Sequence, residues 1–141
     1  MTDVLIDTQF NELIATALAA RSKAYAPYSK FAVGAAVKCK SGAVFVGANV
    51  ENRSFDLTIC AERVAVGAAV AAGEREFIAI AVTSDSDEPI VPCGACRQFL
   101  AEFNPHLIIV SATIDGDRKI DNLSRLLPDA TRGIPKDADS S

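Results

Sequence analysis

Two short segments of the chain carry residue types that can do metal chemistry: Cys60-Ala61-Glu62 and Pro92-Cys93-Gly94-Ala95-Cys96. They offer three soft ligands and one carboxylate. Three protein ligands on a tetrahedral zinc leave one open position, which is the arrangement of a catalytic site and not of a structural one. A carboxylate beside that position can take and return the protons of an activated water. Cys93 and Cys96 are three apart, so on a helix their sulfurs share a face. Cys60 and Glu62 are two apart, which on a helix points them away from each other. They converge only on an ion lying off the helix's first turn. Both motifs are expected at helix N-termini, where free backbone N–H groups and the positive end of the dipole stabilise thiolates.

Three thiolates on a divalent ion leave a net charge of about −1, which opposes the acidification of water that zinc otherwise brings about. Arg63 follows Glu62 and Arg97 follows Cys96. Both are placed to hydrogen-bond the sulfurs and drain that charge, Arg63 first. Plainer readings compete. A C-x-x-C pair is often a redox couple or half of a structural zinc site. A redox couple gives Cys60 and Glu62 nothing to do. A structural zinc needs a fourth ligand, and only Cys39 or His106, the single histidine, remains. Both are expected in or beside strands, where Cys39 reads as a small buried residue.

The elements that position these residues follow from periodicity. Phe10, Leu13, Ile14, Ala17 and Leu18 recur at helical spacing, predicting a helix from about Thr8 to Lys23 capped by Asp7 or Thr8, with Pro27 beyond its end. Phe31 to Cys39 alternates like a strand, Ser41-Gly42 supplies a turn, and Ala43 to Ala48 returns as a hairpin. Cys60 to Ala72 reads as a helix stopped at Gly73. Phe77 to Thr83 reads as a buried strand, and Pro92 to about Phe103 as a helix with proline in its first turn. Leu107 to Ala112, Lys119 to Asp121 and Leu123 to Leu127 read as strand, edge strand and short helix. Strand–helix–strand units imply parallel pairing. The expected fold is a three-layer α/β/α sandwich on a mixed five-stranded sheet, one domain over 1–135 with a loose tail at 136–141.

Composition sets outer limits. The chain has 141 residues, half of them hydrophobic, no Trp and a net charge of −4. An acidic chain without clustered Lys and Arg is a poor binder of nucleic acid polymers. The longest uncharged stretch of purely small and apolar residues, Val64 to Gly73, is far below the ~20 residues that span a bilayer. The start, Met1 to Asp7, lacks the form of a secretory signal. The expectation is a soluble cytoplasmic protein that keeps its cysteines reduced. The apolar helix around Val64 to Ala72 is too uniformly apolar for one domain to cover, which hints at assembly.

Four ordered motifs closely resemble the small homotetrameric cytidine deaminases. They are Tyr28-Ser29-Lys30-Phe31-Ala32-Val33-Gly34-Ala35-Ala36, Asn49-Val50-Glu51-Asn52, Thr58-Ile59-Cys60-Ala61-Glu62-Arg63 and Pro92-Cys93-Gly94-Ala95-Cys96-Arg97-Gln98. The resemblance spans about Tyr25 to Pro128. It implies hydrolytic deamination of cytidine or deoxycytidine, with Zn²⁺ held by Cys60, Cys93 and Cys96 and Glu62 as proton shuttle. It implies that Asn49 and Glu51 bind the ribose hydroxyls, that Phe31 packs on the pyrimidine, and that the backbone of Ala61 receives the base edge. It also implies a homotetramer whose subunits share active sites. The chain departs from the family pattern at Arg53-Ser54-Phe55-Asp56 and at Thr131, so Arg53, Phe55 and Thr131 are expected in an altered pocket wall. That wall suits a modified cytosine nucleoside, of the kind blasticidin S deaminase accepts, as the second reading. Rivals of other classes are a non-catalytic zinc protein on this fold, a polynucleotide-editing deaminase and a thiol–disulfide oxidoreductase.

Overall fold

The computed structural model describes residues 9–131. The expected caps Asp7 and Thr8 and the tail at 136–141 lie outside the described residues. Helix α1 spans Asn11–Arg21 and buries Leu13, Ala17 and Ala20. Leu18, expected on the same stripe, is exposed. Strands β1 (Val33–Cys39) and β2 (Val44–Ala48) form the hairpin. Helix α2 (Ala61–Ala71) leads to β3 (Phe77–Ser84), and α3 (Gly94–Ala101) leads to β4 (Ile108–Thr113). Strand β5 (Arg118–Asn122) and the short helix α4 (Leu123–Leu126) complete the fold. Among the described residues, no helix is long and apolar enough to cross a membrane.

The five strands order as β2-β1-β3-β4-β5. β1 runs antiparallel to both β2 and β3, β3 is parallel to β4, and β5 is antiparallel to β4. β2 and β3 therefore point the same way, so the helices that follow them begin at one end of the sheet. This geometry places the chemistry.

Two glycines fix how closely the helices approach. A Cβ on Gly34 would stand 2.0 Å from the carbonyl oxygen of Ala17, in α1. A Cβ on Gly47 would stand 2.5 Å from that of Ala61, in α2. The register pairs Gly34 with Ala48 and Ala35 with Gly47, so the two glycines face opposite sides of the sheet. One core joins α1 to Ala36, Ala79, Ala81 and Val110. The other joins α2, Leu100 of α3 and Leu123 of α4 to Ala35, Val37, Ile80 and Ile109. The molecule is thus a three-layer α/β/α sandwich on a mixed sheet, as its pattern predicts.

Several ends differ by a residue or two, and one of them bears on the site. The second cysteine helix begins at Gly94 and ends at Ala101, not at Pro92 and Phe103. Cys93 has extended backbone (φ −64, ψ 168) and stands at the cap. Pro92 therefore precedes the cap and does not occupy the first turn.

Candidate active site

Cys60 is the cap residue of α2 and Cys93 that of α3, while Cys96 lies in the first turn of α3. The three Sγ atoms all lie within 4.8 Å of one another. Sulfurs sharing a tetrahedral zinc at ≈ 2.3 Å stand roughly 3.8 Å apart, so the cluster fits this ion with small adjustments. The remaining candidates for a fourth ligand sit elsewhere. Cys39 pairs with Phe77 at the start of β3, and His106 precedes β4. Both lie at the opposite end of the sheet, so among the described residues neither joins the three-sulfur cluster.

The three thiols are coupled to one another. The hydrogen bond from Cys96, followed by those from Arg63 and Cys93, holds Cys60 well below the usual thiol range, and the same contact pushes Cys96 up. Nη2 of Arg63 donates to Cys60 Sγ at 3.5 Å and to the Thr58 carbonyl at 3.3 Å. Glu62, in the first turn of α2, is 5 % exposed. Burial pushes its carboxyl up to about 7, the Cys60 charge adds to this, and Cys96 and Arg63 oppose it. A divalent ion on the sulfurs would draw it back down.

Residues 7–112 match the family model described as the cytidine and deoxycytidylate deaminase zinc-binding region. The chain belongs to this deaminase family. It is 48 % identical over 119 residues to a cytidine deaminase of Halalkalibacterium halodurans, covering 84 % of this chain and 90 % of that protein. The crystal structure of cytidine deaminase from Burkholderia pseudomallei superposes with a TM-score of 0.84 at 49 % identity, covering 93 % of this chain and all of that one. Blasticidin-S deaminase of Bacillus cereus is more distant, 31 % identical over 90 residues, which cover 58 % of this chain and 64 % of that protein. Zinc is the metal of the deaminase family's binding region, in keeping with the three-sulfur cluster.

Arg97 of this deaminase departs from its expected contact. Its Nε donates to the Pro92 carbonyl at 2.8 Å and its Nη1 to the Leu126 carbonyl at 3.0 Å. It acts on backbone and not on sulfur, tying the residue before Cys93 to the end of α4. The reason is position: Arg97 follows the buried Cys96 by one residue, which turns its side chain away from the sulfurs' face.

The start of β1 and the end of β2 lie at the same end of the sheet as the cysteines. Asn49 is buried there; its Oδ1 accepts from Val33 N–H at 2.9 Å and its Nδ2 donates to the Phe31 carbonyl at 2.8 Å. Glu51 accepts from Tyr28 N–H at 3.0 Å and Ser29 N–H at 3.1 Å. Phe31 is half-buried and Ala61 fully buried. Both polar side chains thus grip the segment that carries Phe31.

Phe55 lies in a single 3₁₀ turn, Phe55–Leu57, and is 78 % exposed; Arg53 is exposed beside it. The carbonyl of Thr131 accepts from Gln98 Nε2 at 2.9 Å, which ties the C-terminal segment to α3. The sequence reading gave neither Gln98 nor Ser29 a role. A signal for Ser29 existed: a serine two residues before Phe31 is placed to accept from its N–H, and does so at 2.9 Å.

Proposed function

We propose that this chain deaminates cytidine and deoxycytidine hydrolytically to uridine and deoxyuridine, releasing ammonia, as a cytoplasmic enzyme of pyrimidine salvage. One observation carries the reading: Glu62 is buried beside three converging sulfurs, and among the described residues no fourth cysteine or histidine joins that cluster. Cys60, Cys93 and Cys96 would hold the ion. Zinc there supplies the Lewis acidity that brings the pKa of water from 15.7 towards about 7.

The chain's own residues do the rest. Glu62 accepts a proton from the attacking water, passes it to ring N3, and assists departure of the amino group as ammonia. Arg63 offsets the excess negative charge of the thiolates. The Ala61 backbone, at the start of α2, receives the base edge, and Phe31 packs against the ring. Asn49 and Glu51 take the ribose hydroxyls. A nucleoside is the favoured substrate because the surface of an acidic chain does not suit a polyanion.

Arg53, Phe55 and Thr131 support a second reading, in which the pocket wall admits a substituted cytosine nucleoside of the blasticidin S kind. A spectrophotometric screen of cytosine nucleosides, run on the zinc-loaded parent and on Glu62→Gln, separates the readings. Glu62→Gln is expected to keep its zinc and to lose about 10²–10⁴-fold in turnover, the usual worth of general acid–base help. Preference for substituted cytidines over cytidine would favour the second reading. A zinc-loaded parent that releases no ammonia would favour a non-catalytic zinc protein.

A further inference from the structure

The hydrogen bonds on the sugar side of the site converge on Ser29. Its Oγ donates to Oε2 of Glu51 and accepts the Phe31 N–H at 2.9 Å. Its own N–H and that of Tyr28 both donate to Oε1 of Glu51. The segment is held in an unusual form. Lys30, between Ser29 and Phe31, has φ 63, a left-handed conformation that a non-glycine residue keeps only where its surroundings enforce it. The Lys30 N–H closes a turn on the Ala26 carbonyl at 3.0 Å, the Tyr25 N–H donates to the Asn49 carbonyl at 2.9 Å, and the Tyr25 carbonyl accepts from the Glu51 N–H at 2.8 Å. Ser29 therefore joins the side chain of Glu51 to the backbone of Phe31 across a strained residue.

We propose that Ser29 is a positioning residue whose hydroxyl locks Glu51 and Phe31 into one rigid pair and leaves Glu51 a single vacant acceptor site, fitted to one sugar hydroxyl that must donate. This rests on the reading of Glu51 and Phe31 as substrate contacts. An ionised carboxylate offers about four lone-pair sites. Three are taken by the Tyr28 N–H, the Ser29 N–H and the Ser29 O–H. The one remaining accepts a hydroxyl and cannot accommodate an ether at the same position. The Ser29 hydroxyl is also the first cause that holds the Glu51 carboxyl below its usual range, with the neighbouring Lys30 adding to it. Glu51 thus stays an acceptor as the pH falls.

The test uses the zinc-loaded parent, Ser29→Ala and Ser29→Thr, with cytidine and its ribose O-methyl derivatives as substrates across the acid range. Losing one hydrogen bond to a charged group is expected to raise the KM for cytidine about tenfold in Ser29→Ala, with kcat, zinc content and melting temperature held. Ser29→Thr, which keeps the hydroxyl, is expected to restore the KM. Protonated Glu51 cannot accept, so KM rises as pH falls through its pKa. Without the Ser29 bond that pKa is higher, so the rise begins at higher pH in Ser29→Ala. One of the O-methyl derivatives should bind poorly to the parent. An active parent with an unchanged Ser29→Ala KM and acid limb overturns this inference alone, as does a Ser29→Ala defect confined to kcat. A parent that deaminates no cytosine nucleoside overturns the functional reading, and this inference with it.

Discussion

Burial does not sort the four cysteines, because Cys39 and Cys96 are both fully buried. Their neighbours do. Cys96 shares its space with two other sulfurs and Arg63, whereas Cys39 lies in the apolar core cluster and pairs with Phe77. Desolvation pushes the Cys39 thiol up, and among the described residues it belongs to no cluster of ligand atoms, so it behaves as a small buried hydrophobe. Cys39→Ala is therefore expected to keep one zinc per chain and full turnover, and to lose about 1 kcal/mol from the small cavity it leaves. Cys60→Ala is expected to lose its metal. Elemental analysis with a thermal melt distinguishes the two, and zinc loss in Cys39→Ala would make that residue a ligand after all. The three-sulfur cluster was legible in the sequence because metal ligation permits few residue types at few spacings. The contacts of Arg97 were not. Its partners are two backbone carbonyls, one of them 29 residues away, and a carbonyl leaves no mark on the residue that carries it.

At the scale of elements, the two helix-facing glycines test how the site is held. Cβ atoms at Gly34 and Gly47 would both meet helix backbone, which cannot rotate aside: 2.0 Å from Ala17 O and 2.6 Å from Arg21 N in one case, 2.4 Å from Ala65 N and 2.5 Å from Ala61 O in the other. Overpacking of this kind typically costs about 1–3 kcal/mol, so both alanine variants should melt earlier than the parent. Their effects on the site should differ. Gly47→Ala pushes on the first turn of α2, which carries Glu62 and follows Cys60. Gly34→Ala pushes on α1, on the far face of the sheet. Zinc release to a chelator is expected to quicken in Gly47→Ala and to stay near the parent rate in folded Gly34→Ala. Equal release rates would mean that α2 does not set the ligand geometry. The order of the elements was readable because alternation and helical spacing are strong over five or more residues. Their ends were less so. The start of α3 depends on the backbone angles of Cys93, and neither composition nor periodicity encodes them.

For the whole molecule, the open question is what covers α2. Its sequence is nearly all small and apolar from Val64 to Ala72, yet the sheet covers only one side. Ala61, Ala65, Val66 and Ala69 are buried, while Gly67, Ala68 and Ala71 are exposed. The loop before α2 adds Val50, Phe55, Leu57 and Ile59 to the exposed apolar surface, with Leu57 64 % exposed. Val50 and Ile59 bridge each other, so the loop that presents these residues is held to the same segment as Glu51. Exposed apolar surface gathered in this way marks association. Small residues on a helix face also let a second helix approach closely. Self-association that covers this surface is therefore expected in solution, and the family resemblance implies that it is a homotetramer. If its subunits share active sites, assembly and turnover must fall together. Ala68→Glu places a charge in the middle of the small-residue face, away from the sulfurs and the sheet. Its expected outcome is a smaller species by light scattering, an unchanged zinc content, and a specific activity that rises with protein concentration as subunits reassociate. A dissociated Ala68→Glu with the parent's turnover at every concentration would show that each subunit completes its own site.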